Sequence, residues 1–211
     1  MPCAAAFNCT SSSNSAPSVV DRLIGSVTTV LTGLRINVSL TGLRNVILND
    51  TDDEWDTVLS RIIDSDIIVL GGRASVGHPD DLCLRLLDRL EAAPLDEDTK
   101  QPPLYGKVAC LVLAGPEADC RAVYSSKVIR LTHLGATIPP DSSLLADSEG
   151  ERHVGLSSIE RDAQTAAMFA AHNLAWFCRL LRDNPVPTNL GMLAEQARHG
   201  SALAFADAIR D

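Results

Sequence analysis

Continuous apolar segments that end at a glycine are the feature that most constrains the fold of this 211-residue chain. The clearest is residues 67–70, Ile-Ile-Val-Leu, which runs into two glycines without any polar alternation. Residues 107–114 end in the same way, at Gly115. A strand that is apolar on both faces is typical of a parallel sheet covered by helices on each side. Three further short strands are predicted at residues 3–9, 36–40 and 136–138.

A helical pattern of apolar residues follows each of these strands. Two of the helices are predicted to begin at a capping box, in which Thr51 or Ser157 is followed three residues later by Glu. A third is predicted to carry Pro79 in its first turn. Five strand–helix units in succession predict a doubly wound α/β domain. The predicted helices span residues 19–34, 51–63, 78–90, 120–134 and 157–182.

The domain is interpreted as residues 1–183, because single domains contain roughly 150 residues and the chain exceeds this only modestly. Residues 184–211 are interpreted as a C-terminal helical extension of one or two helices. The extension carries apolar residues at helical spacing, including Leu190, Leu193 and Ile209. A complete α/β domain does not need this additional apolar stripe, so we expect the extension to take part in a homodimer.

Charge and composition exclude several classes of partner. Lys and Arg number 18 and Asp and Glu number 27, and the resulting net charge of −9 argues against nucleic acid, whose binding needs clustered cations. No apolar run approaches the about 20 residues that cross a membrane. The first residues lack the basic start of a secretory signal, so a cytoplasmic location is expected. The six cysteines lack the spacing of a metal site. With nucleic acid and membrane excluded, we expect the ligand to be a small molecule.

The ligand of an open parallel sheet binds beyond the carboxyl ends of the strands, where the direction of winding reverses. Three predicted loops meet there, at residues 10–18, 71–78 and 115–121. The first combines hydroxyl groups with the start of a helix, and this combination favours phosphate binding. No P-loop or dinucleotide-binding glycine motif occurs in the chain. The predicted phosphate ligands are Thr10, Ser11, Ser12, Ser13 and Ser15.

A family resemblance is carried by four segments, at residues 7–10 (Phe-Asn-Cys-Thr), 53–70, 104–109 (Leu-Tyr-Gly-Lys-Val-Ala) and 133–139 (His-Leu-Gly-Ala-Thr-Ile-Pro). In this order they resemble the flavodoxin-like, NADPH-dependent FMN reductase family. The resemblance extends over about residues 3–182. It implies a three-layer sandwich around a five-stranded parallel sheet in the order 2-1-3-4-5. It also implies FMN as cofactor, with NADPH as the source of electrons.

The resemblance places the FMN phosphate on residues 10–15 and the flavin ring against the other two loops. Where members of the family usually have Pro and an aromatic residue, this chain has Arg73 and Ser75. Pro116 removes a backbone N–H donor from the next loop. No aromatic residue is placed to stack on a flavin, so we expect FMN to be weakly held or absent. The residues assigned to the flavin ring are Gly72, Arg73, Ser75, Gly77, Gly115 and Glu117.

A second function class remains open, in which a flavin-independent enzyme or binding protein uses the same crevice. A cationic Arg73 beside a helix start would suit an anionic ligand. His78 and Asp119 are the candidate acid–base residues, and Cys9 is the candidate thiol. Cys120 would complete this group if the loops converge.

Overall fold

The sheet of the computed structural model contains five parallel strands in the order β2-β1-β3-β4-β5. The structure describes residues 1–10, 17–43, 52–76, 81–150, 152–154 and 162–198. This topology confirms the expected doubly wound α/β sheet and its order. The strands are β1 (Cys3–Asn8), β2 (Asn37–Gly42), β3 (Ile67–Arg73), β4 (Val108–Ala114) and β5 (Leu144–Ala146).

Six helices lie within the described residues and cover both faces of the sheet. The first and fifth helices pack on one face, and the second, third and fourth pack on the other. The helices are α1 (Val19–Gly33), α2 (Asp52–Ile63), α3 (Leu82–Ala92), α4 (Glu117–His133), α5 (Ala163–Asp183) and α6 (Leu190–Arg198).

Alternate residues of each strand enter opposite hydrophobic cores. In β1, Ala4 and Ala6 pack toward α1 and α5, whereas Ala5 and Phe7 pack toward the other three helices. The small residues on the first face allow close packing of α1. A Cβ atom at Gly71 would lie 2.2 Å from the Cδ1 atom of Ile24, so a glycine is needed where α1 crosses β3.

The fifth strand differs from the prediction. Residues 136–138 form only one bridge, between Thr137 and Val108 at the start of β4. The chain then reaches Pro139 and Pro140, which have no N–H group to donate to a sheet. The chain returns to the β4 edge of the sheet at β5. The prediction of a fifth strand beside β4 was therefore correct, but its position at residues 136–138 was wrong.

Two helices begin later than predicted. Asp81 caps α3 by accepting hydrogen bonds from the backbone N–H groups of Cys83 and Leu84, and the helix begins at Leu82. Pro79 lies outside the described residues. Asp162 caps α5 by accepting from the N–H group of Thr165. The predicted caps at Ser157 and Thr51 lie outside the described residues.

Helix α4 begins earlier than predicted, at Glu117, and the preceding loop is correspondingly short. Helix α5 ends at Asp183, and the extension that follows contains α6, which buries none of its side chains. Residues 199–211 lie outside the described residues. Within the described part of the chain, no helix has both the length and the apolar character needed to cross a membrane.

Candidate functional site

The candidate site lies at the carboxyl edge of the sheet, where β1, β3 and β4 end side by side. Asn8 at the end of β1 pairs with Gly71, and Arg73 at the end of β3 pairs with Ala114 of β4. Strand β1 lies between β2 and β3, so the direction of winding reverses at this position. This is where an open parallel sheet binds its ligand.

Asn8 organises the start of the first loop. Its Oδ1 atom accepts hydrogen bonds from the backbone N–H of Thr10 at 2.8 Å and from the Thr10 hydroxyl at 2.7 Å. Its Nδ2 group donates to the carboxylate of Asp21 in the first turn of α1. The same side chain therefore joins the strand, the loop and the following helix.

Ser18 and Asp21 form a capping box at the start of α1. The backbone N–H of Asp21 donates to the Ser18 hydroxyl, and Asp21 Oδ2 accepts from the backbone N–H of Ser18 at 2.8 Å. Partial burial would raise the pKa of Asp21, but the hydrogen bonds from Ser18 and Asn8 outweigh it, and the pKa is lowered. Asp21 is therefore a carboxylate whose acceptor positions are already used by its own loop.

Most of the predicted phosphate ligands cannot be placed. Thr10 is the member of this set that the structure describes, and it lies at the expected edge of the sheet. The others, Ser11, Ser12, Ser13 and Ser15, lie outside the described residues, as do Gly77 and His78. Their assignment stays a prediction.

The end of β3 brings three of the expected flavin-facing residues into place. Gly72 is a buried residue within the strand, so the loop begins at Ala74 and not at Gly71 as expected. Arg73 and Ser75 are exposed at the crevice. Arg73 makes no ion pair or side-chain hydrogen bond in the part of the chain that the structure describes, so its charge is available to a ligand.

The loop after β4 is only two residues long, Gly115 and Pro116. A Cβ atom on Gly115 would lie 2.6 Å from the carbonyl oxygen of Ala74, so this glycine allows two loops of the crevice to touch. Glu117 is in the first turn of α4 and is paired with Arg121 at 2.6 Å. Its carboxylate is therefore already neutralised on the helix surface.

The candidate acid–base residue and the second thiol of this region have different surroundings. Asp119 is partly exposed in the first turn of α4. Cys120 is buried and points its sulphur at the carbonyl oxygens of Gly115 and Ala146, both at 3.5 Å. Burial raises the pKa of the Cys120 thiol to about 11. Cys120 is therefore part of the packing beneath the loop.

Cys9 directly follows β1, and its side chain enters the core beneath the crevice instead of facing it. There its thiol donates to the carbonyl oxygen of Phe7 at 3.8 Å. Its pKa is raised well above the usual value by Cys83, near the start of α3, and by burial. The ammonium group of Lys127, in α4, lies 2.6 Å from the carboxylate of Asp81 at the same place. We call Cys9, Cys83, Asp81 and Lys127 the thiol cluster.

The sequence reasoning did not find the thiol cluster as a unit. Lys127 was the available signal, because it stands between Val123 and Leu131 on the buried face of α4. A lysine within an apolar helix stripe needs a buried anionic partner. The partner, Asp81, was interpreted only as part of a helix start.

Solved structures of other proteins share this architecture. One is RosB with the bound intermediate 8-demethyl-8-formylriboflavin-5'-phosphate, at a TM-score of 0.79 and 21% identity, covering 95% of this chain and 88% of that one. Another is the apo form of the NADH:FMN oxidoreductase EmoB, at a TM-score of 0.62 and 14% identity, covering 90% of this chain and 96% of that one. This chain has a flavodoxin-like fold.

The flavodoxin-like protein also has a similar curated sequence. The 8-demethyl-8-aminoriboflavin-5'-phosphate synthase of Streptomyces davaonensis is 28% identical over 167 residues, which is 74% of this chain. The aligned region spans 62% of the length of that relative. No family model matches the sequence. These matches confirm the flavodoxin-like fold that the resemblance implies, and none of them favours the flavin-independent alternative.

Proposed function

We propose that this flavodoxin-like protein binds the 5'-phosphate of FMN at the carboxyl edge of its sheet and acts as an NAD(P)H-dependent oxidoreductase. The observation that carries the proposal is the fold shared with a protein that holds a riboflavin-5'-phosphate derivative. The likeness to an NADH:FMN oxidoreductase supports the oxidoreductase reaction.

The described residues at this edge fit a phosphorylated flavin. Asn8 holds Thr10 in place. In the sequence that follows, residues 11–15 are rich in hydroxyl groups, which can donate hydrogen bonds to a phosphate, and contain no lysine. Both oxygens of the Asp21 carboxylate accept hydrogen bonds from Asn8 and Ser18 and so are held within the start of the loop and of α1. Arg73 adds an exposed positive charge beside the crevice.

Bound FMN would supply two-electron transfer from the nicotinamide nucleotide to an acceptor. The chain would bind its phosphate through the serines that follow Thr10, because both donors of Thr10 itself are already bonded to Asn8. Arg73, at the end of β3, would favour a ligand with a negative charge in the crevice. The short loop at Gly115 would close one side of the crevice.

Titration with FMN and with riboflavin tests the phosphate site. We expect FMN to bind at least tenfold more tightly than riboflavin, and Ser13→Asp to abolish FMN binding by placing a carboxylate among the phosphate donors. Ser126→Asp, at an exposed position of α4, introduces the same charge away from the crevice and is the matched control. Equal affinities for FMN and riboflavin would overturn the proposal.

Turnover is measured separately, as oxidation of NADPH and of NADH in the presence of added FMN. We expect oxidation with the wild-type protein and a loss of it in Ser13→Asp, because the variant no longer holds the flavin. Oxidation that is unchanged in Ser13→Asp would show that it does not depend on this site.

A second candidate is that the flavin phosphate is a substrate instead of a cofactor. The observation that favours it is the similarity to the synthase that makes 8-demethyl-8-aminoriboflavin-5'-phosphate. Mass spectrometry of the flavin after incubation distinguishes the two. FMN recovered unchanged supports the cofactor role, and a flavin altered in its mass supports the substrate role.

We also propose a cytoplasmic homodimer, as expected from the sequence. The outer face of α5 supports an interface between copies, because it exposes large apolar side chains at helical spacing. Trp176 has the most exposed side chain of this set, at 58%. The exposed apolar residues of α5 are Met168, Phe169, Trp176 and Leu180.

A further inference from the structure

A buried ion pair joins α4 to the start of α3. The ammonium group of Lys127 donates to both carboxylate oxygens of Asp81, at 2.8 Å to Oδ1 and 2.6 Å to Oδ2. Asp81 Oδ1 also accepts from the backbone N–H groups of Cys83 and Leu84, and so caps the helix. The side chains of Lys127 and Asp81 are only 2% and 14% exposed. The position of Asp81 is therefore fixed by both helices.

Asp81 is the last residue of the segment that connects β3 to α3. We call this segment, residues 74–81, the β3–α3 loop, and its residue Ser75 is exposed at the crevice. The first residue of the loop is also held, because the backbone N–H of Ala74 donates to the carbonyl oxygen of Ala114 at 2.9 Å. Ala114 ends β4, and only two residues separate β4 from α4. Both ends of the loop are therefore bonded to one strand–helix unit.

An ion pair fixes Asp81 in a way that apolar packing would not. Replacing a buried ion pair with apolar residues of similar volume is often neutral or stabilising, so stability alone does not require a pair here. Charged hydrogen bonds hold a defined geometry, whereas apolar attraction is not directional. Burial by itself would lower the pKa of Lys127, but the negative groups around it, Asp81 among them, outweigh burial and the pKa is raised. Lys127 therefore stays charged and bonded to the end of the loop.

A second set of ion pairs joins the same two helices away from the loop. Arg130, one turn after Lys127 in α4, binds Asp88 at 2.7 Å and Glu91 at 2.6 Å. Both carboxylates belong to the second half of α3, and their side chains are 67% and 45% exposed. Arg130 connects the helices through residues outside the loop, so it is a matched control for Lys127.

We propose that Lys127 is a positioning residue for the crevice: through Asp81 it fixes the end of the β3–α3 loop and limits the conformations of the segment that carries Ser75. Lys127 would not touch a ligand itself, because it lies on the buried face of α4 between Val123 and Leu131. The consequence for flavin binding rests on the proposed function. The consequence for the loop requires no ligand.

The test needs a variant that removes the ion pair without leaving a buried charge. Lys127→Met alone leaves the Asp81 carboxylate without its cation, which would mix a loss of stability with a loss of positioning. The double variant Lys127→Met/Asp81→Asn removes both charges, and Asn keeps a side-chain oxygen that can cap α3. We expect its midpoint of urea unfolding to lie closer to that of the wild type than the midpoint of Lys127→Met does.

Amide hydrogen exchange in the absence of flavin measures the effect on the loop. We expect the amides of residues 74–82 to exchange about tenfold faster in the double variant than in the wild type, because one end of the loop is released. Arg130→Met should leave exchange in this segment unchanged. Equal exchange of the segment in the double variant and the wild type would overturn the proposal, as would an equal increase in Arg130→Met.

The wild-type protein provides a measurement that does not depend on the folding of a variant. The backbone N–H groups of Cys83 and Leu84 donate to Asp81, so we expect both to be protected from exchange. Exchange of these two amides at the rate of an unstructured peptide would show that Asp81 is not fixed, and would overturn the proposal.

Titration with FMN and with riboflavin tests the consequence for the crevice. The double variant should bind each of them about tenfold more weakly than the wild type, because the loop borders the ring that both molecules share. The ratio of the two affinities should stay as in the wild type, whereas Ser13→Asp should change it by disturbing the phosphate site alone. Arg130→Met should leave both affinities unchanged.

The outcomes separate this proposal from the proposed function. Unchanged flavin affinities in a double variant whose loop exchanges faster would overturn the role of Lys127 in positioning the crevice. Failure of the wild type to bind either flavin would overturn the proposed function instead. Exchange of residues 74–82, measured without flavin, would then still decide whether Lys127 fixes the loop.

Discussion

Asn8 at the end of β1 and Asp21 in the first turn of α1 are hydrogen bonded across the loop that connects these two elements. Thr10 is held by the opposite end of the same Asn8 amide. The two boundaries of the proposed phosphate loop are thus fixed to each other by one side chain. Because both ends of the loop are already held, binding of a phosphate does not have to fix them, which lowers the entropic cost of binding.

The Asn8→Ala variant should lower both stability and FMN affinity. It removes three hydrogen bonds that involve a partly buried side chain, and we expect a loss of about 1–2 kcal/mol in the free energy of unfolding. FMN affinity should fall by about tenfold, because the loop is no longer held at its ends. Asn37→Ala, at the exposed start of β2, is the matched control. Denaturant unfolding and FMN titration measure the two effects, and equal results for both variants would contradict the prediction.

The capping box of α1 should make stability depend on pH. The pKa of Asp21 in the folded protein lies below its usual 3.8, so its contribution is complete above that value and is lost as the pH falls through the folded pKa. At pH 7, Asp21→Asn should be less stable than the wild type by about 1 kcal/mol. This difference should shrink as the pH falls below 3.8.

Urea unfolding of both proteins between pH 2 and 7 gives this comparison. Asp183→Asn is the control, because Asp183 is exposed at the end of α5 and makes no side-chain hydrogen bond within the described residues. A stability difference between wild type and Asp21→Asn that is the same at every pH would contradict the assigned role.

The ion pairs of α4 should differ in their effect on stability. Lys127 and Asp81 have side-chain exposures of 2% and 14%, whereas Arg121 and Glu117 are about half exposed. Lys127→Met leaves Asp81 without its cation in the interior and should cost about 3 kcal/mol. Arg121→Met removes an exposed pair and should change stability by no more than about 0.5 kcal/mol. Similar costs for the two variants, measured by denaturant unfolding, would show that Asp81 is not desolvated.

The sheet was predictable because its strongest signals are local. The apolar segments of β3 and β4 end at glycines, and the helix periods between strands are regular, so the order of elements follows from the sequence. The predictions fail where contacts between residues distant in sequence determine which segment forms a strand. Thr137 forms a single bridge because two prolines follow it, and the strand forms instead at Leu144.

The candidate site was predictable in position but less so in its internal contacts. The carboxyl edge and Thr10 follow from the fold, whereas the direction of the Cys9 side chain depends on which face of β1 it occupies. The position of Cys83 in the same hydrophobic core as Cys9 depends on the packing of α3 against the sheet. Sequence spacing does not contain this information, because the two residues lie on elements separated by a crossover.

Residues 184–211 should contribute to a homodimer. Helix α6 buries none of its side chains, although the backbone N–H groups of its first two residues, Leu190 and Gly191, donate to the carbonyl oxygen of Thr99. Deleting residues 184–211 should convert the dimer to a monomer in sedimentation velocity. Trp176→Glu, on the exposed face of α5, tests whether that face shares the interface. An unchanged sedimentation coefficient after the deletion would contradict the prediction for the extension.

The flavin should be weakly held, so the protein should be colourless as isolated and should bind FMN only when it is added. Ser75 is exposed at the crevice, in the position where the resembling family usually has an aromatic residue. Stacking of a base on an aromatic side chain contributes about 1–3 kcal/mol, and the flavin ring presents a comparable surface. Ser75→Tyr should therefore tighten FMN binding by roughly five- to a hundredfold. Ser126→Tyr adds the same ring at an exposed position of α4 and should leave the affinity unchanged. A yellow protein with stoichiometric FMN at purification, or an affinity unchanged by Ser75→Tyr, would show that the flavin is held by contacts other than stacking at this position.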